Sequence, residues 1–121
     1  MKTLAVVVTT PPHSNLTVSA IDFVNSAIAA GIQVVGVFFY QDGVIHANKQ
    51  VVLPSDEYQT IQAWEDLSSE HEVALHLCIS AAEKRGLTDD EEHSNINQCF
   101  TVSGLGELVE LANNADRLVQ F

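Results

Sequence analysis

Cys78 is the residue of this sequence best placed to do chemistry, because it lies where a strand-like apolar run meets a helix-favouring segment. The apolar run covers residues 73–77, and the helix-favouring segment covers residues 80–86. At such a junction, free backbone N–H groups and the positive end of a helix dipole favour thiolate over thiol. The position therefore predicts a nucleophilic thiol, and the chemistry that it indicates is that of sulfur.

A second cysteine and two histidines are further candidates. Cys99 has no helix start behind it and is interpreted as a structural residue, with a resolving thiol for Cys78 as its alternative role. His76 lies two residues before Cys78 and shares its strand face, where it is either a core histidine or a proton partner for the thiol. His13, in the loop after the first apolar run, is interpreted as a solvated loop residue.

Metal, nucleotide and hydrolase sites are not supported by the sequence. His71, His76 and Cys78 do not complete a zinc site, because closed sites need four converging ligands and no second pair occurs at ligand spacing. Residues 103–107 contain two glycines of a dinucleotide motif but lack the third, and they occur late in the chain. The acidic run 89–92 is interpreted as a solvated surface. The sequence predicts neither a metal nor a cofactor.

Length and charge limit the class of protein. The 121 residues, 46% of them hydrophobic, predict a single domain over residues 1–121 with a real core. Five Lys and Arg against 16 Asp and Glu give a net charge of −11, which disfavours direct nucleic-acid binding. The apolar run 4–8 is too short for a membrane span. Two cysteines without a CxxC pair indicate a reducing compartment, so we expect a cytoplasmic protein.

Apolar runs of strand type alternate with helical patterns along the chain. The predicted strands are residues 3–9, 32–40, 73–77, 100–102 and 117–121. The predicted helices are residues 16–28, 56–70, a short helix that ends near residue 86, and 104–113. Residues 43–54 are either a helical turn or an ordered loop, and residues 88–97 are predicted to be a surface loop.

The predicted helix starts depend on capping residues. Ser14 and Asn15 are good N-caps for the first helix, and Asp56 with Gln59 resembles a capping box for the second. Ser103 is predicted as the N-cap of the last helix. The apolar face predicted for that helix contains Leu105, Leu108, Val109 and Ala112.

This alternation predicts an α/β fold with three layers, α/β/α, of flavodoxin-like layering. The sheet is expected to be mostly parallel and to contain about five strands. In such sheets the binding crevice lies outside the carboxyl ends of the strands. Cys78 follows the third predicted strand and is therefore expected at that edge.

Residues 73–86, Val-Ala-Leu-His-Leu-Cys-Ile-Ser-Ala-Ala-Glu-Lys-Arg-Gly, resemble the cysteine segment of the DsrE/TusD sulfur-carrier family. Further stretches resemble blocks of that family in the same order: residues 38–44, 47–48, 63–64, 100–106 and 116–121. The resemblance covers nearly the whole chain. The chain departs from the family in its first loop, which lacks the usual glycine, and in a shortened segment at 89–94. Cys99 matches no family landmark.

The resemblance implies an α/β subunit, a sulfurtransferase that carries sulfur as a persulfide on Cys78. In the TusD branch, which the Val-Gln-Phe ending and Ala47-Asn48 favour, the subunit forms a heterohexamer with TusB-like and TusC-like sister subunits. It accepts sulfur from a TusA-like donor and passes it to a TusE-like acceptor for 2-thiolation of wobble uridine in tRNA. The DsrE branch performs related sulfur trafficking in dissimilatory sulfur oxidation.

Two other classes of function stay open at this point. In the first, the domain is a non-catalytic scaffold subunit in which Cys78 is buried and inert. In the second, Cys78 and Cys99 form a redox switch through an intramolecular disulfide. The two classes differ in what they require of Cys78, since only the switch needs a reactive thiol.

Overall fold

In the computed structural model of the chain, which describes residues 2–90 and 92–121, five strands form one sheet in the order β4-β3-β2-β1-β5. The strands are β1 (Thr3–Val8), β2 (Gln33–Phe39), β3 (Leu75–Cys78), β4 (Phe100–Ser103) and β5 (Arg117–Gln120). All the neighbouring strands run parallel. The predicted parallel sheet of about five strands is confirmed.

Helices cover both faces of this sheet. They are α1 (Asn15–Ala29), a 3₁₀ helix (Gln41–Ala47), α2 (Thr60–His71), α3 (Ile79–Glu83) and α4 (Leu105–Asn114). Helices α1 and α2 pack against each other on one face, whereas α4 contacts β1, β2 and β5 on the other. The three-layer α/β/α architecture is therefore confirmed. No helix in the described part of the chain is both long and apolar enough to cross a membrane.

Helix α1 begins and ends where the sequence predicts. The Ser14 side chain accepts a hydrogen bond from the backbone N–H of Leu16 at 3.2 Å, which satisfies one of the free donors of the first turn. At the other end, Gly31 has a φ of +81°, a left-handed conformation that glycine adopts without steric cost. The helix buries Ile21 and Val24 against the sheet. The N-cap, the glycine stop signal and the apolar face of α1 thus all agree with the prediction.

An aromatic cluster fills the core on the α1 and α2 face. The ring of Phe39 lies 5.1 Å from Trp64, 5.1 Å from Phe100 and 5.4 Å from His46, measured between centroids. The Trp64 and Phe100 contacts are edge-to-face, a geometry that adds about 0.5–1.5 kcal/mol per pair beyond the buried area. Phe39 and Trp64 are fully buried. Because the three rings come from β2, α2 and β4, their contacts join these three elements.

The second helix begins later than its predicted start. Residues 55–58 lie outside α2, and a backbone bond from the Glu57 N–H to the Pro54 carbonyl (3.0 Å) closes a turn there. Gln59 is the N-cap, but its side-chain amide donates to the Pro54 and Glu57 carbonyls rather than closing a capping box with Asp56. The predicted box is wrong because this local turn competes for the same groups.

The face that the last helix turns to the sheet overlaps only in part with the predicted one. Leu111 is buried and the predicted Leu108 packs partly buried against the core, whereas Leu105 and Val109 are 47% and 58% exposed and Ala112 is exposed too. Its N-cap is Gly104, which makes no side-chain cap, so the prediction for Ser103 is wrong. The docking point explains the rotation: Leu111 packs over Gly36, where an added Cβ would lie 2.9 Å from the Leu111 Cδ2 atom.

The two uncertain connections differ in structure. Residues 43–47 belong to the 3₁₀ helix and residues 48–54 contain no helix, so the helical turn holds for the first part of this segment and the loop for the rest. Within 88–97, an isolated bridge pairs Ile96 with Asn48 in a segment that otherwise has no regular structure. Asp89, Asp90 and Glu92 are exposed, as expected of a solvated run. Glu91, which belongs to the same run, lies outside the described residues.

Candidate functional site

Cys78 is the last residue of β3 and the N-cap of α3, so the predicted strand-to-helix junction is present. The residue is 1% exposed. Helix α3 contains five residues, and the dipole of so short a helix is small. The predicted contribution of the helix dipole is therefore small, and the free N–H groups of the first turn are what the junction supplies.

A cleft of about 360 Å³ opens at this end of the sheet, with Cys78 in its wall. Its lining residues are Tyr40, Gln41, Cys78, Ser80, Ala81, Lys84, Arg85 and Leu105. They come from the ends of β2 and β3, from α3 and from the first turn of α4. The cleft therefore lies outside the carboxyl ends of the strands, where parallel α/β sheets bind ligands.

The turn after β2 forms one wall of the cleft and is held tightly to β1. The Tyr40 N–H donates to the Val8 carbonyl at 3.0 Å. Gln41 has a φ of +52°, an uncommon conformation for a residue with a side chain. Two residues later, an added Cβ at Gly43 would lie 2.0 Å from the Val8 carbonyl oxygen. Only glycine at position 43 allows the backbone to come so close to Val8, and this close approach holds the preceding residues Tyr40 and Gln41 against β1.

The opposite wall of the cleft carries two basic side chains, Lys84 and Arg85. Lys84 and Arg85 are two of the five Lys and Arg residues in a chain of net charge −11. Arg85 Nε donates to Asp42 Oδ1 at 3.0 Å, and its Nη1 donates to the Ala81 carbonyl at 2.9 Å. The exposed ion pair adds at most about 1 kcal/mol of stability. Together the two contacts hold the guanidinium at the cleft.

His76 lies on β3 within a small polar cluster on the α4 face of the sheet. Its Nε2 atom is 3.5 Å from Glu107 Oε1, and its Nδ1 atom is 3.4 Å from Ser103 Oγ. Ser103 is also the register partner of Cys78 on the neighbouring strand. A carboxylate, an imidazole and a hydroxyl therefore meet beside the strand end that carries the thiol.

Cys99 lies at the other end of the strand pair from Cys78. It precedes Phe100, the register partner of Leu75, so the two cysteine Cα atoms are separated by roughly 13 Å along the strand direction at about 3.3 Å per residue. A disulfide needs Cα atoms within about 7 Å, and the fold therefore does not allow the Cys78–Cys99 switch without rearrangement. Burial, reinforced by Glu65, raises the pKa of the Cys99 thiol to about 11.

The remaining histidines of the sequence analysis lie away from the thiol. His13 is exposed in the loop after β1 and lines a different depression, beside Pro12 and Tyr58. His71 is the exposed last residue of α2. Over residues 2–90 and 92–121, no group of three or more His, Cys, Asp or Glu side chains could hold a metal ion.

A larger groove of about 970 Å³ lies at the amino ends of β1 and β5, beside α1. Its lining includes Phe23, Ile32 and Val119 together with Asp116 and Arg117, but neither cysteine nor histidine. The larger groove therefore has no thiol or imidazole in its lining, whereas the smaller cleft has the thiol of Cys78.

Several residues of the site have no signal in the sequence that singles them out. Lys84 and Arg85 occur within the resembling segment, yet nothing in their spacing shows that they border a cleft. Glu107 belongs to the first turn of α4, and its contact with His76 depends on how α4 is rotated. A search for charged residues about two helical turns after Cys78 would have found the first two, whereas no sequence pattern finds Glu107.

Comparison with known proteins agrees with this geometry. Residues 2–121 match the DsrE/DsrF-like family. Sulfurtransferase TusD from Klebsiella pneumoniae subsp. pneumoniae is 42% identical over 110 residues, which cover 85% of this chain and 86% of the relative. Sulfur transfer is accordingly the class of reaction of this chain.

Two solved structures share the fold over the full length of both chains. The ychN protein from E. coli matches with a TM-score of 0.79 at 20% identity. A protein of unknown function from Methanobacterium thermoautotrophicum, MTH1491, matches with a TM-score of 0.74 at 14% identity. At these identities the likeness concerns the fold alone. With the parallel sheet, the nearly full-length family match and the sulfurtransferase relative in agreement, the chain belongs to the DsrE/DsrF-like family.

Proposed function

We propose that this chain is a single-domain subunit of a sulfur relay that carries sulfur as a persulfide on Cys78. It accepts the sulfur from a TusA-like donor and passes it to a TusE-like acceptor, and the relay ends in 2-thiolation of wobble uridine in tRNA. TusB-like and TusC-like sister subunits complete a heterohexamer. The 42% identical relative, named for the TusD branch, supports this branch over the sulfur-oxidation branch.

The observation that carries the proposal is the placement of Cys78 in the wall of the cleft at the carboxyl edge of the sheet. Lys84 and Arg85 border the same cleft, so its rim is open to charge contacts with an acidic partner surface. Cys99 has no such surroundings, and its raised pKa of about 11 keeps it protonated at neutral pH. Of the two thiols, Cys78 is therefore the one suited to sulfur transfer.

Two thiol exchanges make the relay. The Cys78 thiolate attacks the outer sulfur of the donor persulfide, a bond forms between Cys78 Sγ and that sulfur, and the donor S–S bond breaks. The donor leaves as a thiolate and takes up a proton. In the second exchange an acceptor thiolate attacks the outer sulfur on Cys78, and Cys78 leaves as a thiolate. Sulfur moves twice, and no external oxidant or reductant is consumed.

The low exposure of Cys78 suits a carrier of a labile group. A persulfide is open to attack by any free thiol, and a side chain that is 1% exposed meets few of them. The cleft of about 360 Å³ leaves room for an outer sulfur atom and for the end of a partner cysteine. Contacts with sister subunits are a further shield.

The charge of the chain fits protein partners rather than tRNA. A net charge of −11 repels a phosphate backbone, so the tRNA is left to a later enzyme of the relay. Free cysteines at both positions fit a reducing compartment, and we place the protein in the cytoplasm. Direct contacts with nucleic acid and with membranes are not part of the proposal.

The experiment that tests the proposal is persulfide loading, measured by intact mass. The purified chain is incubated with a persulfide donor, and the gain of one sulfur atom is expected in the native protein and in the Cys99→Ser variant. The Cys78→Ser variant is expected to gain none. A full gain in Cys78→Ser with none in Cys99→Ser would contradict the assignment.

A second experiment tests the place of the chain in the relay. The loaded chain, assembled with TusB-like and TusC-like subunits, is mixed with a TusE-like acceptor, and the sulfur is expected to appear on the acceptor. The buried position of Cys78 also fits the scaffold alternative. Loading that fails in the assembled complex, while the complex itself forms, would favour that scaffold role.

A further inference from the structure

The cleft beside Cys78 carries a charge opposite in sign to that of the whole chain. The sequence has 16 Asp and Glu residues against five Lys and Arg, and its net charge is −11. The lining of the cleft nevertheless includes two bases, Lys84 and Arg85, and no Asp or Glu in the part of the chain that the structure describes. Besides the thiol, the other lining side chains are polar but neutral or apolar: Tyr40, Gln41, Ser80, Ala81 and Leu105.

The two bases of this rim differ in how their charge is used. Arg85 donates to the Asp42 carboxylate at 3.0 Å and to the Ala81 carbonyl at 2.9 Å, so a carboxylate of the same chain already balances it. Lys84 is exposed, and within residues 2–90 and 92–121 it forms no ion pair. Lys84 is therefore the base whose charge is available to a group that enters the cleft.

Helix α3 sets the position of Lys84 relative to the thiol. Cys78 is the N-cap and Lys84 the C-cap of this short helix, and both residues line the cleft. Their Cα atoms are separated by roughly 9 Å along the helix axis, at about 1.5 Å per residue. Cys78 is buried in the wall whereas Lys84 is exposed at the rim, where its flexible stem can follow an entering group. Lys84 is thus placed to contact what flanks an entering thiol.

A partner that exchanges sulfur with Cys78 has to bring its own cysteine into the cleft, because Cys78 is 1% exposed. The strongly negative surface of the chain repels a negatively charged partner everywhere except where the local charge is positive. Complementary charge at the point of contact raises the association rate and fixes the orientation of the partner. A carboxylate beside the entering cysteine meets Lys84, whereas a lysine at the same place meets a like charge.

We propose that Lys84 is a specificity-determining residue of the sulfur transfer, and that it binds a carboxylate that flanks the reactive cysteine of the partner protein. The inference rests on the carrier function proposed above, and it names the chemistry of the partner segment that enters the cleft. Arg85, paired with Asp42, forms the neighbouring part of the rim and supplies less free charge.

The first test compares the alkylation of Cys78 by iodoacetate, an anion, and by iodoacetamide, its neutral analogue, in a Cys99→Ser background. Because both reagents attack the same thiolate, the ratio of their rates at one pH reports the charge of the cleft and does not depend on the thiolate fraction. Lys84→Gln is expected to lower this ratio about threefold and Lys84→Glu about tenfold, whereas Lys84→Arg should keep it. In the parent, the ratio should fall between about 0.01 M and about 1 M salt, as the Debye length shrinks from about 30 Å to about 3 Å.

Lys2→Gln is the matched control for this test. Lys2 is also exposed, but it lines the larger groove at the amino edge of the sheet. The substitution removes the same charge from the chain and is expected to leave the ratio unchanged. A ratio in folded Lys84→Gln equal to that of the parent, or an equal fall in Lys2→Gln, would overturn the role of Lys84.

The second test uses two short peptides in place of the partner, each with one cysteine that is flanked by Glu in one peptide and by Gln in the other. The persulfide-loaded chain is mixed with each peptide, and the loss of sulfur from Cys78 is followed by intact mass. The ratio of the Glu-peptide rate to the Gln-peptide rate is expected to be about threefold higher in the parent than in Lys84→Gln. The intrinsic reactivities of the peptide thiols cancel, because the same two peptides react with both proteins.

The outcomes distinguish this inference from the carrier function. Equal peptide ratios in the parent and in Lys84→Gln would overturn the recognition of a flanking carboxylate and leave the carrier, even if iodoacetate is preferred, since the cleft would then select small anions only. Sulfur loading that survives in Cys78→Ser would overturn the carrier function itself. An iodoacetate preference that depends on Lys84 would in that case still support the recognition of carboxylates at the cleft.

Discussion

The two faces of the sheet use aromatic and polar side chains in opposite ways. On the α1 and α2 face, Phe39, Trp64 and Phe100 meet at centroid distances of 5.1 Å and are buried. On the α4 face, His76 and Glu107 form an ion-pair contact, and the helix above them leaves Val109 58% exposed. One face is an aromatic core that encloses a neutral histidine, His46, whereas the other holds a histidine with a carboxylate partner.

This difference shows how a small α/β domain separates stability from chemistry. The aromatic face contributes dispersion and the burial of large rings. The face under α4 carries the polar contact between His76 and Glu107. Cys78 ends β3, the strand that also carries His76. Four predictions test this comparison.

The largest effect is expected from Phe39→Ala. Phe39 is fully buried, and its truncation is expected to lower the free energy of unfolding by about 3–5 kcal/mol. The matched substitution on the other face, Val109→Ala, is expected to change it by less than about 0.5 kcal/mol, because Val109 is mostly exposed. Urea denaturation checks both values. Similar losses in the two variants would show that the α4 face is as tightly packed as the other.

The next effect is expected from acid, through His46. Its pKa is 6.5 in the unfolded reference and about 4 in the folded chain, so the unfolded chain takes up the proton first as the pH falls. The free energy of unfolding is therefore expected to fall from about pH 6.5 to pH 4, by about 3 kcal/mol from this group. Denaturation at a series of pH values tests it. A loss of the same size in His46→Asn would show that other groups cause it, and His71→Gln is the control.

A smaller effect is expected from Gly36→Ala, which adds one methyl group under α4. The new Cβ would lie 2.9 Å from Leu111 Cδ2, and the overpacking is expected to cost about 1–3 kcal/mol. Gly106→Ala, which meets nothing within 4 Å, is expected to leave stability unchanged or raise it by up to about 1 kcal/mol. Thermal unfolding of both variants decides it. The Leu111→Ala background should reduce the Gly36→Ala penalty, and an undiminished penalty would show that Leu111 is not the obstacle.

The smallest effect on stability is expected from Cys99 in alkali. Its pKa rises from 9.0 to about 11 on folding, mainly through burial, so the unfolded chain loses the proton first. The free energy of unfolding is therefore expected to decline between about pH 9 and pH 11, and Cys99→Ser should lack that part of the decline. In a Cys78→Ser background at pH 8, alkylation of Cys99 should be about a hundredfold faster in urea than in the folded chain. Equal rates would show that the thiol is freely ionised in the fold.

The architecture of this protein was predictable because its signals are local. Apolar runs of strand type, the Ser14 cap and the Gly31 stop each depend on a few neighbouring residues, and the structure confirms them. Two of the predictions that are wrong, the capping box at Asp56 and the cap at Ser103, concern polar side chains with more than one available partner. Gln59 bonds to its own turn, and the Ser103 hydroxyl contacts His76 from the next strand.

The site was predictable in part for the same reason. The sequence by itself determined the strand-to-helix junction at Cys78 and its place at the carboxyl edge, because a parallel sheet aligns its strand ends. Only the tertiary structure decided that Cys99 lies at the opposite end of the strand pair, and that Lys84, Arg85 and Tyr40 surround the cleft. The rotation of α4 about its axis, which brings Glu107 to His76, was also decided by the tertiary structure. Local sequence does not set this rotation, because it is the packing of Leu111 over Gly36 that selects one face of the helix.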